Sequence, residues 1–319
     1  MLYNLLKIPA RLAFLIYCRS LRISRKEALN TKGPLLICAN HPDSLLDAII
    51  LSTLFKSPVH SLARGDAFKN KFYASLLRSI HMMPVYRVSE GVENLEQNYE
   101  TFDACKKIFE KGGVVLIFSE GRCINEWRLR PLMKGTARLA ISSWQEGINL
   151  SILPVGINYQ SFHSFGKNIH LNFGEIFNIG AIKAEEGFGK AIISFNDKLR
   201  LELSKLVIEI SKDDMETRRK KFYVPQPFLK KLLLFVPAIV GYLFHFLLYV
   251  PIQKLAWKKA SLNDHYDSLI VAILIFLYPL YLILFFFIIF SLTGSLWSFL
   301  IFIGAPMCAW SYVQLKKQF

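Results

Sequence analysis

The sequence predicts an α/β fold: a largely parallel sheet flanked by helices, preceded by an N-terminal interfacial helix and followed by a C-terminal α-helical membrane region. Two observations predict it. Between Thr31 and Glu209, short β-rich runs alternate with helical patterns, and such alternation builds a parallel sheet covered on both faces, with working residues on the loops after the strand C-termini. From residue 228 onward the chain is dominated by Leu, Ile, Phe and Tyr with few charges. Its longest apolar run, LIVAILIFLYPLYLILFFFIIFS from Leu269 to Ser291, spans roughly 34 Å as a helix at about 1.5 Å per residue, enough to cross a bilayer.

Residues 1–30 read as an amphipathic membrane-interfacial helix. Lys7, Pro9 and Arg11 interrupt the apolar stretch and no A-x-A site follows, which argues against a signal peptide, while basic residues that snorkel suit an interface. A helix packed on the body of the domain is the alternative. Residues 31–215 then form the catalytic domain. PLLICA leads to LLDAIILSTLF, VHSLA to FKNKFYASLLRSI, and MMPVY to a polar helix through Cys105 and Phe109; VVLIFS and NLSILPVGI follow as further strands. IHLNFGEIF (169–177) adds a late strand or hairpin arm, and 184–211 returns to helix. A basic linker, 216–227, ends in the Pro225-Gln226-Pro227 break before the membrane region, 228–319.

Lys and Arg number 39 against 24 Asp and Glu, a formal charge of +15. No zinc-knuckle, RRM or helix-turn-helix signature accompanies the charge, so nucleic acid is not an expected partner, whereas anionic lipid headgroups and phosphorylated substrates are. TRRKKF (217–222), with Lys230 and Lys231, is the kind of juxtamembrane cluster that a cytoplasmic leaflet attracts at about 1 kcal/mol per charge. An ordinary solvated charge run accounts for it equally well. The five cysteines, Cys18, Cys38, Cys105, Cys123 and Cys308, show no CxxC and no metal-ligand spacing, which points to no zinc, no disulfide framework and a reducing compartment. No GxSxG, P-loop or GxGxxG is present, so serine hydrolases, NTPases and nucleotide oxidoreductases lack their signature.

Three apolar segments are visible: 228–250, 269–291 and 296–313. If all three crossed, the lysines of PIQKLAWKKASLNDHYDS and of the C-terminal LKKQF would lie opposite RRKK, against the positive-inside rule. Two crossings are therefore expected, with 228–250 re-entering one leaflet or lying along it, and with the catalytic domain on the cytoplasmic side of the cell's inner membrane.

The chemistry-bearing stretches sit at strand ends. PLLICA delivers NHPDSLLD (40–47), where His41 in a strand-to-helix turn can take a proton from a hydroxyl if a carboxylate fixes its tautomer. Asp43 reads as the cap of the following helix, and Asp47, entering an apolar face, as the carboxylate that needs His41 as partner. VVLIFSEGRC ends in Glu120, Gly121 and Arg122, the composition of an anion-gripping loop, and MMPVYR ends in Arg87.

In the order NHPDSLLD, MMPVYR, FSEGRC, LPVGI, these blocks resemble the lysophospholipid and glycerol-phosphate acyltransferase superfamily, which includes the 1-acylglycerol-3-phosphate acyltransferases. The resemblance covers roughly residues 30 to 215. It implies that His41, oriented by Asp47, is the general base for attack of an acceptor hydroxyl on an acyl thioester. It also implies that Arg87 and Arg122 hold the acceptor phosphate in a pocket shaped by Glu120 and Gly121, with Lys134 of MKGTARLA as a further basic candidate. No metal or other cofactor is implied. The donor would be acyl-CoA or acyl-ACP and the acceptor glycerol 3-phosphate or a lysophospholipid, with membrane lipids as surroundings. Two departures stand out: five residues separate His41 from Asp47 where the family has four, and FSEGRC stands for FPEGTRS. The altered block leaves open a phosphate-free lyso-aminolipid acceptor, and a non-catalytic lipid-binding membrane protein is the rival from another class.

Overall fold

The computed structural model describes residues 2–86, 97–183 and 187–319. Seven strands, β1 (Cys18–Ile23), β2 (Leu35–Ala39), β3 (Val59–Arg64), β4 (Met82–Val85), β5 (Val114–Phe118), β6 (Ser151–Tyr159) and β7 (Lys167–Phe173), form one sheet in the order β1-β7-β6-β2-β5-β3-β4. All neighbours run parallel except β6 and β7, so the largely parallel sheet read from the sequence is present, and each β-rich run marks a strand.

Strand β2 lies at the centre between β5 and β6, and none of its five residues is exposed. Its alternation divides the core. Leu35, Ile37 and Ala39 face a cluster that includes Phe14 and Tyr17 of α1 (Leu2–Tyr17) and Leu46, Ile50 and Leu51 of α2 (Leu45–Leu54). Leu36 and Cys38 face the other side. There they meet Cys105 and Phe109 of α4 (Gln97–Glu110), Ala137 and Ala140 of α5 (Lys134–Gln145), and Phe195 and Leu199 of α6 (Phe188–Leu206). Each such large side chain contributes about 1.5–3 kcal/mol relative to exposure, which is why a continuous apolar strand ends up in the middle. Helix α3 (Lys71–Ser79) joins β3 to β4.

Three sequence boundaries are corrected. The N-terminal helix ends at Tyr17 rather than near residue 30, because CRSLRI pairs in parallel with β7 as an edge strand and buries Cys18 and Arg19. The late strand begins at Lys167, whose side chain is fully buried. The basic linker is itself partly helical: α7 (Met215–Phe222) is capped by Asp214, whose Oδ1 accepts the Thr217 N–H at 2.9 Å. Phe222 at its end is buried, and its carbonyl accepts from Asn168 Nδ2.

Three helices follow that are long and apolar enough to cross a membrane: α8 (Phe228–Ala260), α9 (Tyr266–Thr293) and the segment Leu296–Leu315, which contains α10 (Ile301–Leu315). The re-entrant form expected for 228–250 is overturned, since α8 runs unbroken through Pro237 and Pro251 for 33 residues, roughly 50 Å. It continues past Val250 because Ile252, Ala256 and Ala260 are buried in the sheet core. The start of α8 is tied to the same domain. Lys230 Nζ donates to Gln314 Oε1 of α10, and Gln314 Nε2 donates to the Arg19 carbonyl of β1. Against α10, a Cβ on Gly241 would lie 2.1 Å from the Cys308 carbonyl oxygen, so the close approach of the two helices requires glycine there.

Candidate active site

Strand β2 hands Asn40 and His41 to the turn that opens α2, and α2 carries Asp47 in its first turn. His41 Nδ1 lies 2.9 Å from Asp47 Oδ2. Because a carboxylate only accepts, this contact fixes Nδ1 as the donor and leaves Nε2 as the acceptor nitrogen of the neutral ring. Asp47 is fully buried and takes two more donors, the Asp43 backbone N–H at 2.9 Å on Oδ2 and the Tyr159 hydroxyl at 2.7 Å on Oδ1. Burial, then the Asp47 and Asp43 charges, push the Tyr159 phenol well above its ordinary value, so it stays a donor. The imidazole stacks on the ring of Phe118 at 3.8 Å between centroids and 7° between planes.

The extra residue between His41 and Asp47 is absorbed in the turn, where Ser44 adopts φ 49 and ψ −127. That strained conformation is what lets the wider spacing still close the imidazole on the carboxylate.

Asp43 is not the helix cap that its position suggested. Its side chain is buried, and Oδ2 pairs with Lys167 Nζ at 3.0 Å; Lys167, also fully buried, pairs in addition with Asp267 of α9. A lysine taken out of water recruits every carboxylate within reach, which outweighs the weaker return from capping exposed amides. Burial works against the Lys167 ammonium, but the Asp267 and Asp43 charges outweigh it and raise its pKa. Burial also pushes the Asp43 carboxyl well above its ordinary value; Lys167 opposes this, and Asp267 and Asp47 reinforce it.

Glu120, just past the end of β5, is buried and bridges two backbone amides: Oε2 accepts the His41 N–H and Oε1 the Arg130 N–H, both at 2.9 Å. Burial raises its carboxyl above the usual range, against the lowering effect of those bonds. Gly121 has φ +64 and no room for a side chain beside Met133, so glycine is needed there. Arg122 is exposed, on a loop bonded to the His41 turn through Ile124 N–H to His41 O and Ser44 N–H to Cys123 Sγ. Cys123 is a neighbour but a poor nucleophile, because burial, then Asp47 and Asp43, push its thiol up. Lys134 is exposed at the start of α5, and Arg87 lies outside the described residues.

Tyr159, Phe118, Lys167 and Asp267 went unread in the sequence as parts of this site. Tyr159 is the last residue of β6, four residues past the Val155 that pairs Ala39 at the end of β2, and so lies beyond the LPVGI block that was read; nothing in the sequence brings Asp267 to residue 43. Among the described residues, no group of three or more His, Cys, Asp or Glu side chains is placed to hold a metal ion.

Residues 20–158 match the family model described as Acyltransferase. No match to a curated protein was found. Among solved structures, the chain is similar to one described as the 1-acyl-sn-glycerophosphate (LPA) acyltransferase, PlsC, from Thermotoga maritima, at 15% identity over 61% of this chain and 77% of that one, with a TM-score of 0.43. The family match, over 139 of the 319 residues, takes in the His41 turn, the Glu120 loop and the central strands that lead into them.

Proposed function

We propose that the chain is a membrane-bound acyltransferase that moves a fatty acyl group from a thioester carrier, acyl-CoA or acyl-ACP, to a hydroxyl of glycerol 3-phosphate or a lysophospholipid. The observation that carries the reading is the buried Asp47 against His41 at the end of the central strand of an acyltransferase-family domain. His41 Nε2 takes the proton of the acceptor hydroxyl while Nδ1–H remains bonded to Asp47, which stabilises the imidazolium. The acceptor oxygen attacks the thioester carbonyl carbon, the C–S bond breaks as the tetrahedral intermediate collapses, and the thiolate takes the proton back from the imidazolium. A thioester is already activated, so base, positioning and charge stabilisation suffice without a metal.

The acceptor phosphate is assigned to Arg122, on the loop bonded to the His41 turn, together with Arg87 at the end of the MMPVYR stretch. A panel of phosphate-bearing and phosphate-free acceptors tests this, with Arg122→Ala alongside. The variant should raise KM for the phosphorylated acceptor more than KM for the acyl donor. Equal effects on both, or preference for a phosphate-free lyso-aminolipid, would remove the phosphate assignment.

The membrane placement we favour is two crossings, with the catalytic domain on the cytoplasmic face. Supporting it, α9 begins and α10 ends against the domain, with Tyr266, Ile270 and Val313 buried, whereas the uncharged turn at 294–300 lies at the far end of both helices. Helix α8 is held to the domain at both ends, so its exposed row Phe235, Val236, Ile239, Leu243 and Phe246 would lie along the lipid rather than through it. The exposed Leu5, Ile8 and Leu12 of α1 offer a second apolar face to the same interface. Cysteine labelling in intact cells, in a background without native cysteines, tests the arrangement. Position 294 should react with an impermeant reagent and position 258 should not; labelling at 258 would refute it.

A further inference from the structure

We propose that the segment Ser261–Ser268, which comprises the turn between α8 and α9 and the first residues of α9, is a positioning element of the catalytic turn, so that the membrane hairpin and the His41–Asp47 pair are set as one unit. The inference rests on the acyltransferase reading above and names residues that the reading does not use.

Four polar links from this one short segment reach both loops of the site. Asp267, fully buried, bonds Lys167, which bonds Asp43, whose backbone N–H donates to the same Asp47 oxygen that faces His41. Ser268 Oγ accepts the Leu45 N–H at 3.0 Å. Leu45 opens α2, and Ser44, the residue at the capping position, makes no side-chain cap, so α9 supplies from a distance of more than two hundred residues the acceptor that α2 lacks locally. His265 Nδ1 lies 2.9 Å from Ser44 Oγ. Asp264 Oδ1 accepts the Asn125 N–H at 2.9 Å, and Asn125 Nδ2 donates to the Pro42 carbonyl, closing the clamp from the Glu120 loop side.

Anchoring two helices to a sheet needs only apolar packing, and Ile252, Ala256, Ala260 and Ile270 already supply it. A lysine and two aspartates buried beside them cost desolvation and contribute little net stability, but they fix geometry, since an ion triplet tolerates few arrangements. The residues so fixed are Pro42 to Leu45, the very turn whose strained Ser44 lets Asp47 reach His41. The clamp therefore sets the register of a turn that the local sequence alone would leave strained.

The test uses the full-length chain in detergent or lipid nanodiscs, with Asp267→Asn and the milder Ser268→Ala compared with wild type. Two readouts are taken: steady-state kinetics with an acyl-CoA and a lysophospholipid, and hydrogen–deuterium exchange. Asp267→Asn should lower kcat at least tenfold and Ser268→Ala about threefold, with donor KM within twofold of wild type, and exchange should rise in peptides covering 40–48 and not across the sheet. Unchanged exchange at 40–48 in both variants would overturn the proposal, as would unchanged kcat in both. A rise spread over the whole domain would also overturn it, since that is loss of stability and not of positioning. If the wild-type chain transfers no acyl group, the functional reading fails, while the exchange arm still decides whether the turn positions residues 40–48.

Discussion

Replacing Asp47 by Asn separates shape from charge at the centre of the site. The amide can place Oδ1 where Oδ2 now accepts from His41 Nδ1 and the Asp43 N–H, and its Nδ2 toward Tyr159, whose hydroxyl can turn to accept. Stability should therefore fall by only about 1 kcal/mol, the usual net worth of one rearranged hydrogen bond. What is lost is the counter-charge to the imidazolium formed when His41 takes the acceptor proton. At about 4 Å between charge centres and an effective dielectric of about 20, that attraction is about 4 kcal/mol. At about 1.4 kcal/mol per tenfold, turnover should drop by roughly three orders of magnitude. The assay is thiol release from an acyl thioester in the presence of acceptor, with the melting temperature of the same sample as control. Turnover within tenfold of wild type in a folded Asp47→Asn protein would refute the reasoning.

Asp43→Asn should cost little, because an amide oxygen still accepts from Lys167 and Asp267 still balances the ammonium charge, whereas Asp43→Ala should destabilise by about 1–3 kcal/mol by thermal unfolding; equal melting temperatures for the two variants would refute this. Gly241→Ala should lower the melting temperature in detergent, since the added carbon meets the Cys308 carbonyl, and an unchanged value would remove the close α8–α10 approach. His170, lowered to about 4 by burial and then by Arg22, is favoured neutral in the folded chain. The unfolded chain takes up that proton first as pH falls, so its contribution is present above pH about 6.5 and is lost progressively toward pH 4. His170→Phe should flatten the acid side of the stability profile across that window, and an unaltered slope would show that His170 does not drive it.

The sheet was legible because its central strands are buried on both faces and therefore read as unbroken apolar runs, PLLICA and VVLIF among them, set between helical patterns. The His41–Asp47 pair was legible from chemistry, since a carboxylate entering an apolar helix face needs a donor. What escaped were long-range partners. Asp43 looked like a cap because local rules favour one, and Lys167, more than a hundred residues away, overrode them. The strand at 18–23 hid within an apolar, basic N-terminal stretch, because edge-strand pairing with β7 depends on a neighbour that local pattern does not name. The re-entrant reading of 228–250 rested on where the lysines would fall, and charge counting does not reveal that α8 continues through Pro237 and Pro251 because its last turns pack into the core.

Thiol release from an acyl thioester, measured for the wild-type chain with and without a lysophospholipid acceptor and repeated for His41→Ala, tests the proposed chemistry most directly. Wild type should release thiol in an acceptor-dependent way with matching acylated product, and His41→Ala, still folded, should be slower by at least about 10², the loss expected for a general base. Acceptor-independent release, no release, or near-wild-type turnover in His41→Ala would contradict the assignment of His41 as the base.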